Sequence, residues 1–284
     1  MPGAALYLVA TPLGNLQDLS PRAAELLRVA DVLYAEDTRT AARLLSDLGL
    51  GRPLHSCFDA NEAQRADEVA QHFAAGRTVA LCSEAGTPGV SDPGYRMVRA
   101  AIAAGVPVVP VPGPSAVLAA LVGSGLATDR FYFGGFLPRK PGPRREALAQ
   151  LKTLPATLVF FESPMRTAET LHDMAEVFGP REAVVARELT KTHEEFVRGA
   201  LETLAARYEN ERPLGEITLV VAGAPEHPAV AADADLHARA LALLSEGHSP
   251  KDAAARLAFE SGVPKRQAYA CVLACQEART RPAP

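Results

Sequence analysis

The sequence predicts an α/β protein: one α/β domain over 1–113, a second over 114–224, and a small helical domain reached through a linker over 225–284. Three observations predict it. Short β-rich runs alternate with helical patterns up to residue 111. Beyond residue 127 the apolar runs take hairpin-like spacing mixed with two or three helices, and residues 249–278 carry helix signals alone. A chain of 284 residues allows two domains or one large one. With 48% hydrophobic and 22% charged residues it is globular in composition rather than disordered.

Each element follows from its pattern. "LYLVA" (6–10), "VLYAED" (32–37), "LHSC" (54–57), "TVALC" (78–82) and "VPVVPV" (106–111) read as strands apolar on both faces, as in a mainly parallel sheet. Helical patterns at 21–30, 40–49, near 61–75 and near 93–104 separate them in a βαβ rhythm. In the second part "RFYFGGF" (130–136), "TLVFFES" (157–163), "AVVARELT" (183–190), "EEFVRGA" (194–200) and "GEITLVVAG" (215–223) read as strands. Residues 224–235, rich in Ala, Pro and acid, read as a linker. After them Ser249 and Pro250 mark an N-cap and first turn, Gly262 a C-cap, and Pro264 the opening of a further helix, which is the outline of a helix-turn-helix.

Composition excludes several classes. A net charge of −4 argues against a uniformly basic nucleic-acid coat, yet residues 138–152 carry five basic side chains against one acid, and 249–281 carry six against three. The longest apolar stretch, 104–127, is interrupted by four prolines and cannot span a membrane as a helix. The N-terminus has no basic leader, so a cytoplasmic location is expected. Cys57, Cys82, Cys271 and Cys275 make no C-x-x-C pair and the seven histidines show no ligand spacing, so reduced core thiols and no metal site are expected.

In open parallel sheets the ligand lies beyond the carboxyl ends of the strands, where "TPLGN", "EDTR", "SEAGTP" and "PGPSA" all fall. The run "LCSEAGTPGVSDPGY" (81–95) has three glycines and two prolines but no Lys, Arg or His. It lacks the cation of a phosphate cradle, and its only charges, Glu84 and Asp92, suit a neutral or cationic ligand. An ordinary strand-to-helix connection has the same composition.

Seven segments in order, "LYLVATPLGNLQDLSPRA", "AEDTR", "SEAGTPGVSDPGY", "VVPVPGPSA", "GGFLPRK", "FFESPMR" and "ARELTKTHEE", resemble the ribosomal RNA small subunit methyltransferase I family, ribose methylases related to the tetrapyrrole methylases. The resemblance covers roughly residues 6–223, and the terminal helix pair resembles an extra domain that many members carry. It implies S-adenosylmethionine held in a cleft between two tetrapyrrole-methylase-type domains, and a homodimer. It also implies methyl transfer to the 2′-hydroxyl of a cytidine in the decoding region of small-subunit (16S) ribosomal RNA. On this reading Gly14, Asn15, Glu84, Ala85, Gly86, Thr87, Pro88, Asp92, Pro114, Ser115, Ala116 and Glu162 lie at the cofactor. The family usually has Asp where this chain has Glu84, which leaves the loop's shape but not a direct contact by that carboxylate.

Methyl transfer from a sulfonium demands in-line placement and removal of the hydroxyl proton, so a base or a cation near the ribose would help. Glu36, Asp37, Asp92, Glu188 and Lys191 are the candidates, with Arg39 as a phosphate contact. Structural roles compete: Asp37, Asp92, Ser115 and Glu162 are each placed to cap a helix, Asn15 to make a turn, and Arg39 to pair with the acids before it. Arg139, Lys140, Arg144, Arg145, Lys265 and Arg266 are the expected contacts to ribosomal RNA or the small subunit, a solvated loop being the alternative for the first four. The competing functions are a tetrapyrrole methyltransferase on the same fold and a non-catalytic RNA-binding protein. Neither needs both the ligand loops and the two basic segments.

Overall fold

The computed structural model describes residues 3–225 and 233–280. Its first half contains β1 (Ala5–Val9), α1 (Pro21–Val29), β2 (Val32–Ala35), α2 (Thr38–Asp47), β3 (His55–Ser56), α3 (Glu62–Ala74), β4 (Thr78–Cys82), α4 (Tyr95–Ala103) and β5 (Val108–Val111). The strands pair in parallel in the order β3-β2-β4-β1-β5. Every residue of β2 and β4 is buried, as the unbroken apolar runs require of strands covered on both faces. Leu26 and Leu27 of α1 and Leu45 of α2 pack on one face, while Val69 and Phe73 of α3 and Met97 of α4 pack on the other. The consequence is a doubly wound sheet whose βα loops all open on one edge.

The second half holds α5 (Ala116–Ser124), β6 (Phe131–Phe136), α6 (Pro141–Leu151), β7 (Thr157–Glu162), α7 (Thr167–Phe178), β8 (Glu182–Arg187), β9 (Glu195–Ala200), α8 (Leu201–Asn210) and β10 (Ile217–Val221). Its sheet runs β6-β7-β10-β8-β9, with β6 parallel to β7 and the remaining pairs antiparallel. Helix α5 lies on it through Val117, Ala120 and Leu121, which meet Val159, Val184 and Val220. Leu13, from the loop after β1, enters this same apolar cluster, so the ligand edge of the first sheet is built onto the second. Both sheets belong to one compact unit, Met1–Lys152 with Ala156–Ala222.

The second unit, which takes Thr153–Pro155 and Gly223–Pro284, carries α9 (Asp233–Ser245), α10 (Pro250–Ser261) and α11 (Lys265–Thr280). Leu236, Leu243, Leu257, Val263 and Val272 form its core. Ser249 caps α10 by accepting from the Asp252 N–H (3.2 Å), and Gly262 closes it in the left-handed region with φ 67°. Pro264 stands just before α11, its carbonyl accepting from Gln267 and Ala268. Of the linker expected over 224–235, residues 226–232 lie outside the described residues.

One alternative reading falls at this level. Residues 141–151 are not a solvated loop but helix α6, with Pro141 and Pro143 in its first turn. That helix turns Arg144 toward the protein and leaves its neighbour Arg145 exposed.

Candidate active site at the carboxyl edge of the first sheet

The loops after β1, β4 and β5 are stitched together by their own backbone. The Thr11 N–H donates to the Gly86 carbonyl (2.8 Å) and the Gly86 N–H returns to Thr11 (3.0 Å), forming a single antiparallel bridge between loops. The Ser83 hydroxyl donates to the Gly86 carbonyl (3.0 Å), and the Thr87 hydroxyl to the Pro114 carbonyl (3.1 Å). Gly86 adopts φ 88°, where a side chain is strained whatever the space, and a Cβ there would meet Leu13 and the Pro114 carbonyl. The glycine is therefore demanded by the protein's own loop packing. A cleft of about 270 Å³ lies beside this knot, bordered by Thr11, Gly14, Thr40, Ser83, Glu84 and Glu216.

Acids gather on this edge. Burial raises the Glu36 carboxyl above its usual range, and the charges of Glu84 and Asp59 add to it. Burial, then the charge of Glu36, pushes Asp92 up to about 7. Asp92 does not cap α4: that position is taken by Glu62, whose Oε1 accepts from the N–H groups of Gly94 (2.8 Å) and Arg96 (2.9 Å). The Asp92 carboxyl thus remains with Ser83 as its hydrogen-bonding side chain, near neutral in its proton affinity. Asp37 behaves differently. It caps α2 through the Arg39 N–H (2.7 Å) and pairs with the Arg39 guanidinium (2.7 Å), which holds it down at about 2. Arg39 itself is 90% exposed.

Opposite stands the loop 188–194. Glu188 accepts from Lys191 Nζ (2.9 Å) and from the Glu216 N–H (3.0 Å), and Lys191 also reaches the Glu216 carboxylate (3.1 Å). Burial works against the Lys191 ammonium, but its hydrogen bonds to Glu188 and Glu216 outweigh that and keep its pKa above the usual value. It is a fixed cation, not a base. Its stem crosses Gly14 so closely that a Cβ at residue 14 would overlap Lys191 Cγ, which explains glycine at that position. Among the described residues the non-glycine positions with positive φ are Ser91, Glu188 and Thr190, and all three sit in loops of this site. Such strain persists only where surroundings enforce it, and it clusters at functional sites. The Thr190 hydroxyl is buried without a hydrogen-bond partner, in a hollow of about 290 Å³ shared with Leu13, Asp18, Pro114, Ser115 and Ala119.

The loops therefore bring together Gly14, Glu36, Glu84, Gly86, Asp92, Ser115 and Lys191 on one edge, as the strand-end argument expects. Ser115 also caps α5 through the Leu118 N–H (3.5 Å), and Asn15 caps a short turn through the Gln17 N–H (3.1 Å). Glu162 is committed to the protein: its carboxylate accepts from Arg166 (2.6 Å), the Ser163 N–H (2.7 Å) and the Thr170 hydroxyl (2.6 Å), and α7 begins only at Thr167. Among the basic residues, Arg139, Lys140, Lys265 and Arg266 are exposed. Arg144 is not: its side chain is 2% exposed and bonded to Asp173, itself 3% exposed, at 2.5 Å. The expectation of an RNA contact at Arg144 is withdrawn, because a guanidinium buried against a carboxylate offers nothing to phosphate. Arg145, 44% exposed, pairs with the same Asp173 (2.7 Å) and with Glu176 (3.2 Å). Sequence reasoning missed Glu62, Glu216 and Thr190, none of which carries a spacing signal.

Among the described residues no helix is long and apolar enough to cross a membrane. Residues 5–205 match the family model "Tetrapyrrole (Corrin/Porphyrin) Methylases", and residues 230–276 match "RsmI C-terminal HTH domain". The chain is 48% identical over 269 residues to "Ribosomal RNA small subunit methyltransferase I" of Xylella fastidiosa, covering 93% of this chain and 97% of that one. It is 44% identical to the protein of the same name from Synechocystis sp., over 93% and 95% of the two chains. In fold it is similar to the uroporphyrin-III C-methyl transferase of Thermus thermophilus complexed with S-adenyl homocysteine, with a TM-score of 0.54 and 23% identity over 76% of this chain and 96% of that one. Matched along 93% of its length, with the methylase region and the helical domain both covered, this chain belongs to the ribosomal RNA small subunit methyltransferase I family, within the tetrapyrrole methylases.

Proposed function

We propose that this protein transfers a methyl group from S-adenosylmethionine to the 2′-hydroxyl of a cytidine ribose in the decoding region of 16S ribosomal RNA. It acts in the cytoplasm as a homodimer, on the RNA or the small subunit. The observation that carries the chemistry is Asp92, a carboxyl on the ligand edge whose burial and acidic neighbours push it up to about 7.

The residues present fit the methyl donor. Thr190 offers a buried hydroxyl with no protein partner, in a hollow whose other walls are Leu13, Asp18, Pro114, Ser115 and Ala119, a mixture of apolar and acceptor groups suited to a nucleoside. Glu36, Glu84 and Asp92 form an acidic edge that favours a cationic ligand, and no lysine or arginine of the 83–94 loop opposes it. When bound, S-adenosylmethionine supplies an electrophilic methyl on a sulfonium. Asp92 holds or takes a proton near neutral pH, which suits the removal of the hydroxyl proton as the oxygen attacks. Lys191, kept cationic by Glu188 and Glu216, favours negative charge developing on that oxygen. Asp37, held near 2, is too weak a base, and its part is to position α2 and Arg39.

Arg139 and Lys140, exposed before α6, and Lys265 and Arg266, exposed on the first turn of α11, supply phosphate contacts to RNA. The helical domain and these exposed cations favour RNA over a tetrapyrrole. Mapping ribose methylation in 16S RNA from cells with and without this protein, then with an Asp92→Asn copy, tests the reading. A methylated ribose that vanishes on deletion and returns only with the wild-type copy is expected; an unchanged map refutes it.

A further inference from the structure

The helical unit places three soft ligands together. His237 lies on α9, and Cys271 and Cys275 lie one turn apart on α11, the helix that packs against it. One atom from each, the two sulfurs and an imidazole nitrogen, lie within 4.8 Å of one another. Cys275 is buried in the helical core and its thiol contacts the His237 carbonyl at 3.8 Å; Cys271 is partly buried, and His237 is exposed. No spacing rule points to this group, because the third ligand comes from a different helix.

We propose that His237, Cys271 and Cys275 bind a soft divalent cation, zinc being the fitting ion, with water completing four-coordination on the exposed side. Zn–S bonds of about 2.3 Å and a Zn–N bond of about 2.0 Å place ligand atoms about 3.5–3.8 Å apart in a tetrahedron. The observed separations, within 4.8 Å, need to shrink by about 1.3 Å at most, which side-chain rotation supplies. A disulfide is the competing chemistry and geometry disfavours it: residues one helical turn apart have Cβ atoms about 5–6 Å apart, against about 3.5–4.5 Å in a disulfide. Binding expels one proton from each thiol, so the two thiolates offset the cation and the net charge of the unit is unchanged. The bond network would clip α9 to α11 in a unit whose described helices span only 233–280, a size at which a core alone stabilises weakly.

The test uses the full-length protein, reduced and metal-stripped, titrated with cobalt(II). Expected are a thiolate-to-cobalt charge-transfer band in the ultraviolet and visible bands of tetrahedral type, saturating at one ion per chain, both lost in Cys271→Ser. Cys275→Ser disturbs the core, whereas Cys271 is only partly buried, so Cys271→Ser with an unchanged far-ultraviolet circular dichroism spectrum is the decisive variant. His237→Ala should weaken binding at least about tenfold, since even the loss of a group that only orients a ligand costs about 10–100-fold. Zinc should raise the melting temperature of the wild type and not of Cys271→Ser. Absence of the charge-transfer band in the wild type, or a band of equal strength in Cys271→Ser, overturns the proposal.

Discussion

Four basic residues in a row of seven, Arg139, Lys140, Arg144 and Arg145, look alike in sequence and should respond in opposite ways to removal. Arg144 is held at 2.5 Å from Asp173, with 2% and 3% of the two side chains exposed, and approaches Glu169 at 3.7 Å. Truncation to alanine leaves Asp173 buried with a single partner, Arg145, still bonded at 2.7 Å. Breaking a buried ion pair costs about 3–5 kcal/mol, and the surviving Arg145 contact favours the lower end, about 3 kcal/mol. For a body of this size that is a fall in melting temperature of about 6–12 °C. Calorimetric melting and urea unfolding of Arg144→Ala measure it directly. Replacing both partners with apolar residues of similar volume, Arg144→Met with Asp173→Leu, should recover much of the loss, since the cost lies in the abandoned carboxylate.

Arg139 and Lys140 are exposed and have no such burden. Their double alanine variant should melt within about 0.5 kcal/mol of the wild type, yet bind ribosomal substrate with a log–log salt slope smaller by about 1.5 units, at roughly 0.7–0.9 per phosphate lost. A wild-type melting curve for Arg144→Ala would refute the burial argument. An unchanged salt slope for the Arg139/Lys140 variant would send the RNA path elsewhere, to Arg39 and the exposed face of α11.

Four further outcomes follow from the site. Asp92, raised to about 7 when folded, holds a proton that the unfolded chain has released above about 4; stability therefore falls as pH climbs from about 4 to 7, and Asp92→Asn should flatten that fall and melt higher at pH 8, as pH-dependent melting would record. The same variant should lose about 10²–10⁴ in turnover, and with it the acid limb of the kcat/KM profile near 7; wild-type turnover would remove Asp92 from the base role. Gly14→Ala should displace Lys191 from Glu188 and Glu216 and cut turnover at least about tenfold with little change in melting, because residue 14 has no left-handed backbone to protect. Gly86→Ala should cost about 1–2 kcal/mol through its φ of 88° and loosen the Thr11 bridge, so any loss of S-adenosylmethionine affinity there, read by calorimetry, must be compared with the melting shift.

The strands were legible in the sequence because a parallel sheet covered on both faces leaves unbroken apolar runs, and β2 and β4 are buried at every position. The loops of the candidate site were legible because glycine and proline cluster at the strand ends, although Gly86 and Gly14 are kept by the protein's own structure, the first by a φ of 88° beside Leu13 and the second by the Lys191 stem. What stayed hidden is pairing across long stretches of chain. Arg144 and Asp173 are 29 residues apart, and nothing in "PRKPGPRR" tells a solvent-facing arginine from one that a helix turns inward. The proline after Asp92 makes it a candidate cap as well as a candidate base; Glu62, which accepts from the Gly94 N–H 32 residues further on, fills the capping position and leaves Asp92 its raised proton affinity. The same distance conceals Glu216 beside Lys191, and with it the reason that the lysine stays charged. Local pattern therefore located the loops of the candidate site, while the raised proton affinity of Asp92 and the fixed charge of Lys191 depend on partners, Glu36 and Glu216, that only the folded chain supplies.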